Sequence, residues 1–117
     1  MNEAESLARA CAAAAADKKA DNIVVLDLRG ISTFTDFFVV CSGTSDPQIK
    51  AISSGIRTTI REKFGKGPFA EDGLPSSRWI VVDYAQVIIH IFHTESREFY
   101  SLEDLWGDAP RLEVAFD

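Results

Sequence analysis

Few residues in this chain have the type and spacing that chemistry needs. His90 and His93 stand three apart. On a helix that spacing lets two imidazoles share a metal, but on a strand it sends them to opposite faces. The run Val87 to Phe92 is largely β-branched and apolar, so it predicts a strand and no shared metal site. His90 alone keeps two readings, a partner contact or a satisfied sheet residue. Cys11 and Cys41 form no CxxC motif, and no His stands at zinc-finger spacing from either. Two free thiols in a reducing compartment are expected, with Cys41 acting as a small hydrophobe. A catalytic Cys41 needs a lowered pKa and a nearby base, and the sequence identifies no base.

The segment Ser42-Gly43-Thr44-Ser45 is the most enzyme-like. A turn between strand and helix presents backbone N–H groups that can hold a phosphate. It lacks the spacing and the Lys of a Walker loop. A Mg²⁺-dependent nucleotidyltransferase using this turn is the alternative function. Such an enzyme gathers two or three carboxylates on neighbouring strands to hold its metal. Here Asp27, Asp36 and Asp83 are scattered singles with no Asp-x-Asp pair. A capped turn is the simpler reading.

The elements that must position these residues follow from periodicity. Residues 2–19 read as a helix, with Leu7, Ala10, Cys11 and Ala14 on one narrow apolar stripe. Residues 23–28 and 37–41 are nearly continuous apolar runs, expected as strands buried on both faces. Ser45 or Asp46 caps a helix that carries Pro47 just inside its start and runs to about Phe64, where Gly65 stops it. Its apolar face is Ile49, Ile52, Ile56, Ile60 and Phe64. Residues 65–78 hold three glycines and two prolines, a loop with room for a short edge strand near Phe69.

Residues 79–84 and 87–92 are two strands about Ala85-Gln86. A two-residue hairpin there sets Asp83 opposite Ile88, Val81 opposite His90 and Trp79 opposite Phe92. The other face (Ile80, Val82, Tyr84, Val87, Ile89, Ile91) is almost wholly apolar and is expected as core. The face with Trp79, Asp83 and His90 is mixed, which suits a binding surface. Trp79, Tyr100 and Trp106 stand near element ends, and each suits core packing or an interface hot spot. A helix is expected from about Ser96 through Leu105, with a capping box at Ser101 and Asp104 that can divide it. The order implies a mixed sheet with helices packed on it.

Size and charge narrow the function classes. The 117 residues make one domain, with 46% hydrophobic and 26% charged residues as in ordinary soluble proteins. A net charge of −6 argues against a protein that coats DNA or RNA and leaves a basic protein partner open. Lys50, Arg57 and Arg61 form a stripe within residues 45–66, where five bases and two acids leave a local +3. A solvated face is the plain reading of that stripe, and a ribosomal or other RNA contact the sharper one. The acidic start Met1-Asn2-Glu3-Ala4-Glu5 fits neither a secretory nor an organelle leader, and the run Ala12 to Ala16 is too short to span a membrane. A cytoplasmic protein is expected.

Taken together, several linked motifs resemble the ribosomal silencing factor family, also called Iojap-like. They are Thr35-Asp36-Phe37-Phe38-Val39-Val40-Cys41-Ser42-Gly43-Thr44-Ser45, Gln48 with Ala51-Ile52, and Trp79-Ile80-Val81-Val82-Asp83-Tyr84. Val87-Ile88-Ile89-His90-Ile91-Phe92, Glu95-Ser96-Arg97, Tyr100, Leu102-Glu103 and Leu105-Trp106 follow in order. The resemblance covers a single domain over residues 1–106 and leaves 107–117 as a tail outside it. It implies a mixed α/β fold with nucleotidyltransferase-like topology but without the catalytic carboxylates. It further implies binding to the large ribosomal subunit through its protein numbered fourteen, steric block of small-subunit joining, and lowered translation when nutrients are short. No catalytic residue, cofactor or metal is implied, nor DNA or membrane binding, while a homodimer is. The positions matching the family's partner-facing region are Trp79, Asp83, His90, Tyr100, Leu105 and Trp106. One departure stands out: the family's hairpin turn usually reads Gly-Asp, and here it is Ala85-Gln86. Ala and Gln tolerate positive φ poorly, so a tight primed turn is strained. The alternating tail run Leu112 to Phe116 suits an added strand, a dimer contact or disorder.

Overall fold

Alanine-rich sequence lets the first helix approach its neighbours closely. In the computed structural model, which describes residues 3–73, 79–94 and 109–112, that helix is α1 (Glu3–Asp17). Its buried side is wider than the expected stripe: Ala4, Leu7, Ala8, Cys11, Ala12, Ala14 and Ala15 are buried, and Ala10 only partly. The reason is that α1 packs on the second helix and on the sheet at once, so two sides of it leave water.

Two strands follow, β1 (Asp21–Asp27) and β2 (Phe37–Gly43). Only the later part of β1 is fully buried, at Val25 and Leu26. Its start carries a register shift between Asp21 and Val24, with Asn22 at φ +51, a conformation that Asn accepts more readily than most residues. All seven residues of β2 are buried. Helix α2 (Asp46–Phe64) begins as expected, with Ser45 as N-cap and Pro47 in the first turn. It ends at Gly65, whose φ of +67 turns its N–H onto the Arg61 carbonyl.

Gln48 ties the two helices together. Its Oε1 accepts the Thr44 N–H at 2.7 Å and the Thr44 hydroxyl at 3.1 Å. Its Nε2 donates to the carbonyls of Lys18 and Lys19 at 3.2 and 3.0 Å, which lie just past the end of α1, where helical carbonyls lack partners. Close beside it, a Cβ on Gly43 would stand 3.0 Å from Ile49 Cγ1, so a side chain there would require Ile49 to shift by a few tenths of an ångström.

Strands β3 (Ala70–Asp72), β4 (Trp79–Asp83), β5 (Val87–His93) and β6 (Arg111–Leu112) complete one mixed sheet in the order β3-β4-β5-β2-β1-β6. Only the β2–β5 pair is parallel among the described pairings. The expected edge strand near Phe69 is β3. The tail segment Arg111–Leu112 pairs with Leu26 and Val25 of β1. The expected helix from Ser96 and its capping box lie outside the described residues. Both helices cover one sheet face, burying Phe37, Val39, Cys41, Ile80, Val82, Val87, Ile89 and Ile91 with the helical Ile row. A second cluster, Leu26, Leu28, Phe38, Val40, Phe92 and Ala109, occupies the other face.

The hairpin between β4 and β5 has the expected register, with Trp79↔Phe92, Val81↔His90 and Asp83↔Ile88. Tyr84 N–H donates to the Val87 carbonyl at 2.9 Å, and the Gln86 N–H turns back onto the Tyr84 carbonyl at 2.8 Å. Ala85 takes φ +69. The turn therefore closes with the strain its sequence implies, braced by Asp83, whose Oδ1 accepts the Ala85 N–H at 2.6 Å.

Two stability predictions follow from these contacts. Ala85→Gly relieves the positive φ and should stabilise the fold by about 0.5–1 kcal/mol in urea denaturation, after the entropy glycine adds to the unfolded chain. A loss of stability instead would show that the turn holds no strain. Gln48→Ala strips acceptor and donor from four backbone and hydroxyl groups, two of them the Lys18 and Lys19 carbonyls. It should cost about 1–2 kcal/mol, with faster amide exchange at the end of α1. Unchanged exchange there would dismiss the clasp.

Candidate aromatic face of the sheet

Alternation along β4 and β5 places Trp79, Asp83 and His90 on the sheet face away from the helices, as the hairpin register requires. The parallel register then sets Val40 beside His90, Phe38 beside Ile88 and Ser42 beside Phe92. The result is a run of rings across three strands. Phe34 lies 6.1 Å from Phe38, and Phe38 meets His90 edge-on at 4.6 Å. His90 lies 5.7 Å from Trp79, and Trp79 stacks on Phe92 at 5.1 Å and 27°. Such offset and edge-on pairs add about 0.5–1.5 kcal/mol each beyond area burial. The middle of the run is closed to solvent, while Phe34 is 59% exposed at one end and Trp79 is half-buried at the other.

His90 is the polar centre of this run. Trp79 Nε1 donates to its Nδ1 at 3.0 Å. Its Nε2 is buried and has no hydrogen-bond partner. An unmet buried donor costs about 1–3 kcal/mol. Burial also pulls the imidazole pKa down from 6.5 to about 4, because the charged ring loses its hydration.

Of the six positions expected to face a partner, the structure brings Trp79, Asp83 and His90 together. Tyr100, Leu105 and Trp106 lie outside the described residues. Asp83 has a local task, bracing the Ala85 turn. Phe34, Phe38 and Phe92 belong to the same surface and were not among the expected site residues. Period-two alternation in β2 separates Phe38 from Phe37, but only the long-range β2–β5 pairing brings Phe38 to His90.

The enzyme-like turn is filled by its own side chains. Gln48 Oε1 takes the Thr44 N–H, Ser45 Oγ takes the Gln48 N–H, and the Ser45 carbonyl takes the Ile49 N–H. A phosphate would have to displace these bonds. Asp27 is held by Arg29 through Nε at 2.9 Å and Nη2 at 2.6 Å, and that hydrogen-bonded guanidinium keeps its carboxyl below the usual range. No group of three or more His, Cys, Asp or Glu is placed to hold a metal among the described residues. Burial pushes the Cys11 thiol well above its ordinary range, with buried Cys41 a smaller influence in the same direction. In the basic stripe, Arg57 lies 3.0 Å from Glu71 of β3, which leaves Lys50 and Arg61 as its exposed members. Among the described residues, no helix is long and apolar enough to cross a membrane.

The depressed imidazole pKa has a stability signature. The unfolded chain takes up the proton near pH 6.5 and the folded chain only near 4. Between those values the unfolded state binds more protons, so stability rises with pH there. It is complete above about 6.5 and lost as pH falls through 4, by about 3 kcal/mol in all. His90→Gln keeps an acceptor for Trp79 and does not titrate. Its stability profile should lack this component when urea denaturation is compared with wild type from pH 7 to 4. Parallel profiles would dismiss the depressed pKa.

Comparison with known proteins places this geometry. A family model described as "Ribosomal silencing factor during starvation" matches residues 1–116. The chain is 40% identical over 116 residues to ribosomal silencing factor RsfS of Bacillus subtilis (strain 168), covering 99% of this chain and 97% of that one. It is 42% identical over 89 residues to ribosomal silencing factor RsfS of Haemophilus influenzae, covering 76% and 86% of the two chains. A crystal structure from Bacillus halodurans is 34% identical with a TM-score of 0.81, covering 94% of this chain and 99% of the other. One from Chromobacterium violaceum shares the fold at a TM-score of 0.85 and 24% identity, covering 97% and 93%. Matched by the family model over residues 1–116 and by a relative 40% identical over 99% of its length, the chain belongs to the ribosomal silencing factor family.

Proposed function

We propose that this chain acts by position and has no catalytic step: it docks on the large ribosomal subunit and sterically keeps the small subunit from joining, lowering translation when nutrients are short. The docking residues in this reading are Trp79, Asp83 and His90 of the aromatic sheet face, together with Tyr100, Leu105 and Trp106. The partner is the large-subunit protein numbered fourteen. The observation that carries the reading is the ring run itself, in a chain of this family. A half-open Trp at the end of a packed aromatic row is the kind of anchor that dominates protein interfaces. The net charge of −6 supports a basic partner, since opposite charge speeds encounter. The filled turn at Thr44–Gln48 favours this reading over nucleotidyl transfer.

Sedimentation of the purified chain with separated ribosomal subunits tests it. The expected result is co-migration with the large subunit alone and fewer joined ribosomes once the small subunit is added. Trp79→Ala should weaken that binding by about tenfold or more, and His90→Ala by a similar order, with far-UV circular dichroism unchanged. Wild-type affinity in both folded variants would remove the proposed face. A chain that stays at the top of the gradient at low and moderate salt would remove the function.

A further inference from the structure

One hydrogen bond decides what the far side of the His90 ring offers. An indole nitrogen only donates, so the 3.0 Å contact from Trp79 Nε1 leaves the lone pair of His90 on Nδ1. Burial keeps the ring neutral. A neutral imidazole with a bare Nδ1 carries its single proton on Nε2. That Nε2–H has no acceptor, on a side chain only 7% exposed. The neighbouring rings of Phe38, Trp79 and Phe92 offer at most a weak π acceptor. The free chain thus holds an unused donor at the centre of an aromatic surface, fixed in direction by Trp79.

We infer that the His90 Nε2–H is a recognition donor, taken by an acceptor oxygen (a main-chain carbonyl or side-chain amide) that a protein partner sets among apolar groups when it docks on this face. The inference rests on the docking reading above and deepens it, making Trp79 the positioning group that fixes the tautomer. A protein fits better than RNA. The strands that carry the rings, β2, β4 and β5, contain no Lys or Arg, and Asp83 lies on the same face. A phosphate backbone is held chiefly by such basic side chains. Nε2 is shielded in the free chain, so the acceptor reaches it as neighbouring side chains change rotamer, a common event at interfaces.

Two measurements test this. In the free protein, long-range ¹H–¹⁵N NMR of labelled histidine should give the Nε2–H tautomer for His90, and the Nδ1–H tautomer would overturn the inference whatever the binding results. With purified large subunits, His90→Phe, which keeps a ring but no donor, should bind about tenfold more weakly than wild type. His90→Gln, which restores an N–H donor and an acceptor for Trp79, should recover most of that loss. Wild-type affinity in His90→Phe, or a His90→Gln as weak as His90→Phe, would show that ring shape and not the donor matters. If the wild-type chain does not bind the large subunit while its tautomer is Nε2–H, the docking reading fails, and the assigned role of the donor falls with it.

Discussion

Seven residue pairs join β2 to β5 in parallel, from Phe37↔Val87 to Gly43↔His93, and the other elements take their places from that seam. Parallel neighbours cannot be linked by a short turn. The chain between them therefore makes α2, β3 and β4 before it returns, and β4 arrives as the antiparallel partner of β5. Because β2 is buried along its whole length, a slip of one residue would move Phe37, Val39 and Cys41 out of the helix-covered core. The same register lays Val40 beside His90 and thereby makes the second face aromatic. Core and candidate site are two consequences of one pairing.

Two local irregularities lie on the β4–β5 hairpin, one at its turn and one on its outer face. Ala85 holds a positive φ that glycine would adopt without steric cost. Asp83 offsets part of that strain with its bond to the Ala85 N–H. His90 leaves a buried donor unmet. Neither feature is what packing alone would select, since an aliphatic residue at position 90 would carry no unmet polar group. Departures from local consistency of this kind, on a face the family resemblance assigns to a partner, are where function is to be sought.

The parts legible in the sequence were those fixed by short-range rules. The α2 caps follow from Ser45, Pro47 and Gly65, and the hairpin register from a two-residue turn, so the common face of Trp79 and His90 could be read directly. The width of the buried side of α1 could not. Ala4, Ala8, Ala12 and Ala15 have too little apolar weight to mark a face, and only the double packing on α2 and the sheet buries them. Phe92 stands opposite Trp79 in the hairpin register the sequence already implies, whereas Phe38 was missed for a related reason. Its meeting with His90 depends on a pairing between strands more than forty residues apart in sequence, and alternation within one strand gives no register with a distant one.

Several polar residues that invite a chemical role are engaged in holding the chain. Gln48, prominent in the motifs shared with the family, bonds Thr44 and the carbonyls beyond α1. Asp27 is bound by Arg29, and Asp83 by the turn it precedes. In the strand-to-helix turn that resembles a phosphate cradle, Gln48 takes the Thr44 N–H and Ser45 takes the Gln48 N–H. These bonds tie down the turns at the ends of the strands, and a fixed backbone suits the steric role proposed for the chain. An element that blocks by occupying space must not yield when the excluded partner presses on it, and a fixed backbone leaves only side-chain rotamers to adjust on docking. The aromatic face packs ring on ring at its buried middle and leaves Trp79 half-buried at its end. Among the described residues of this face, the one buried polar atom without a hydrogen bond is His90 Nε2, and in the proposed docking a single hydrogen bond there would discriminate between a matching surface and a merely apolar one.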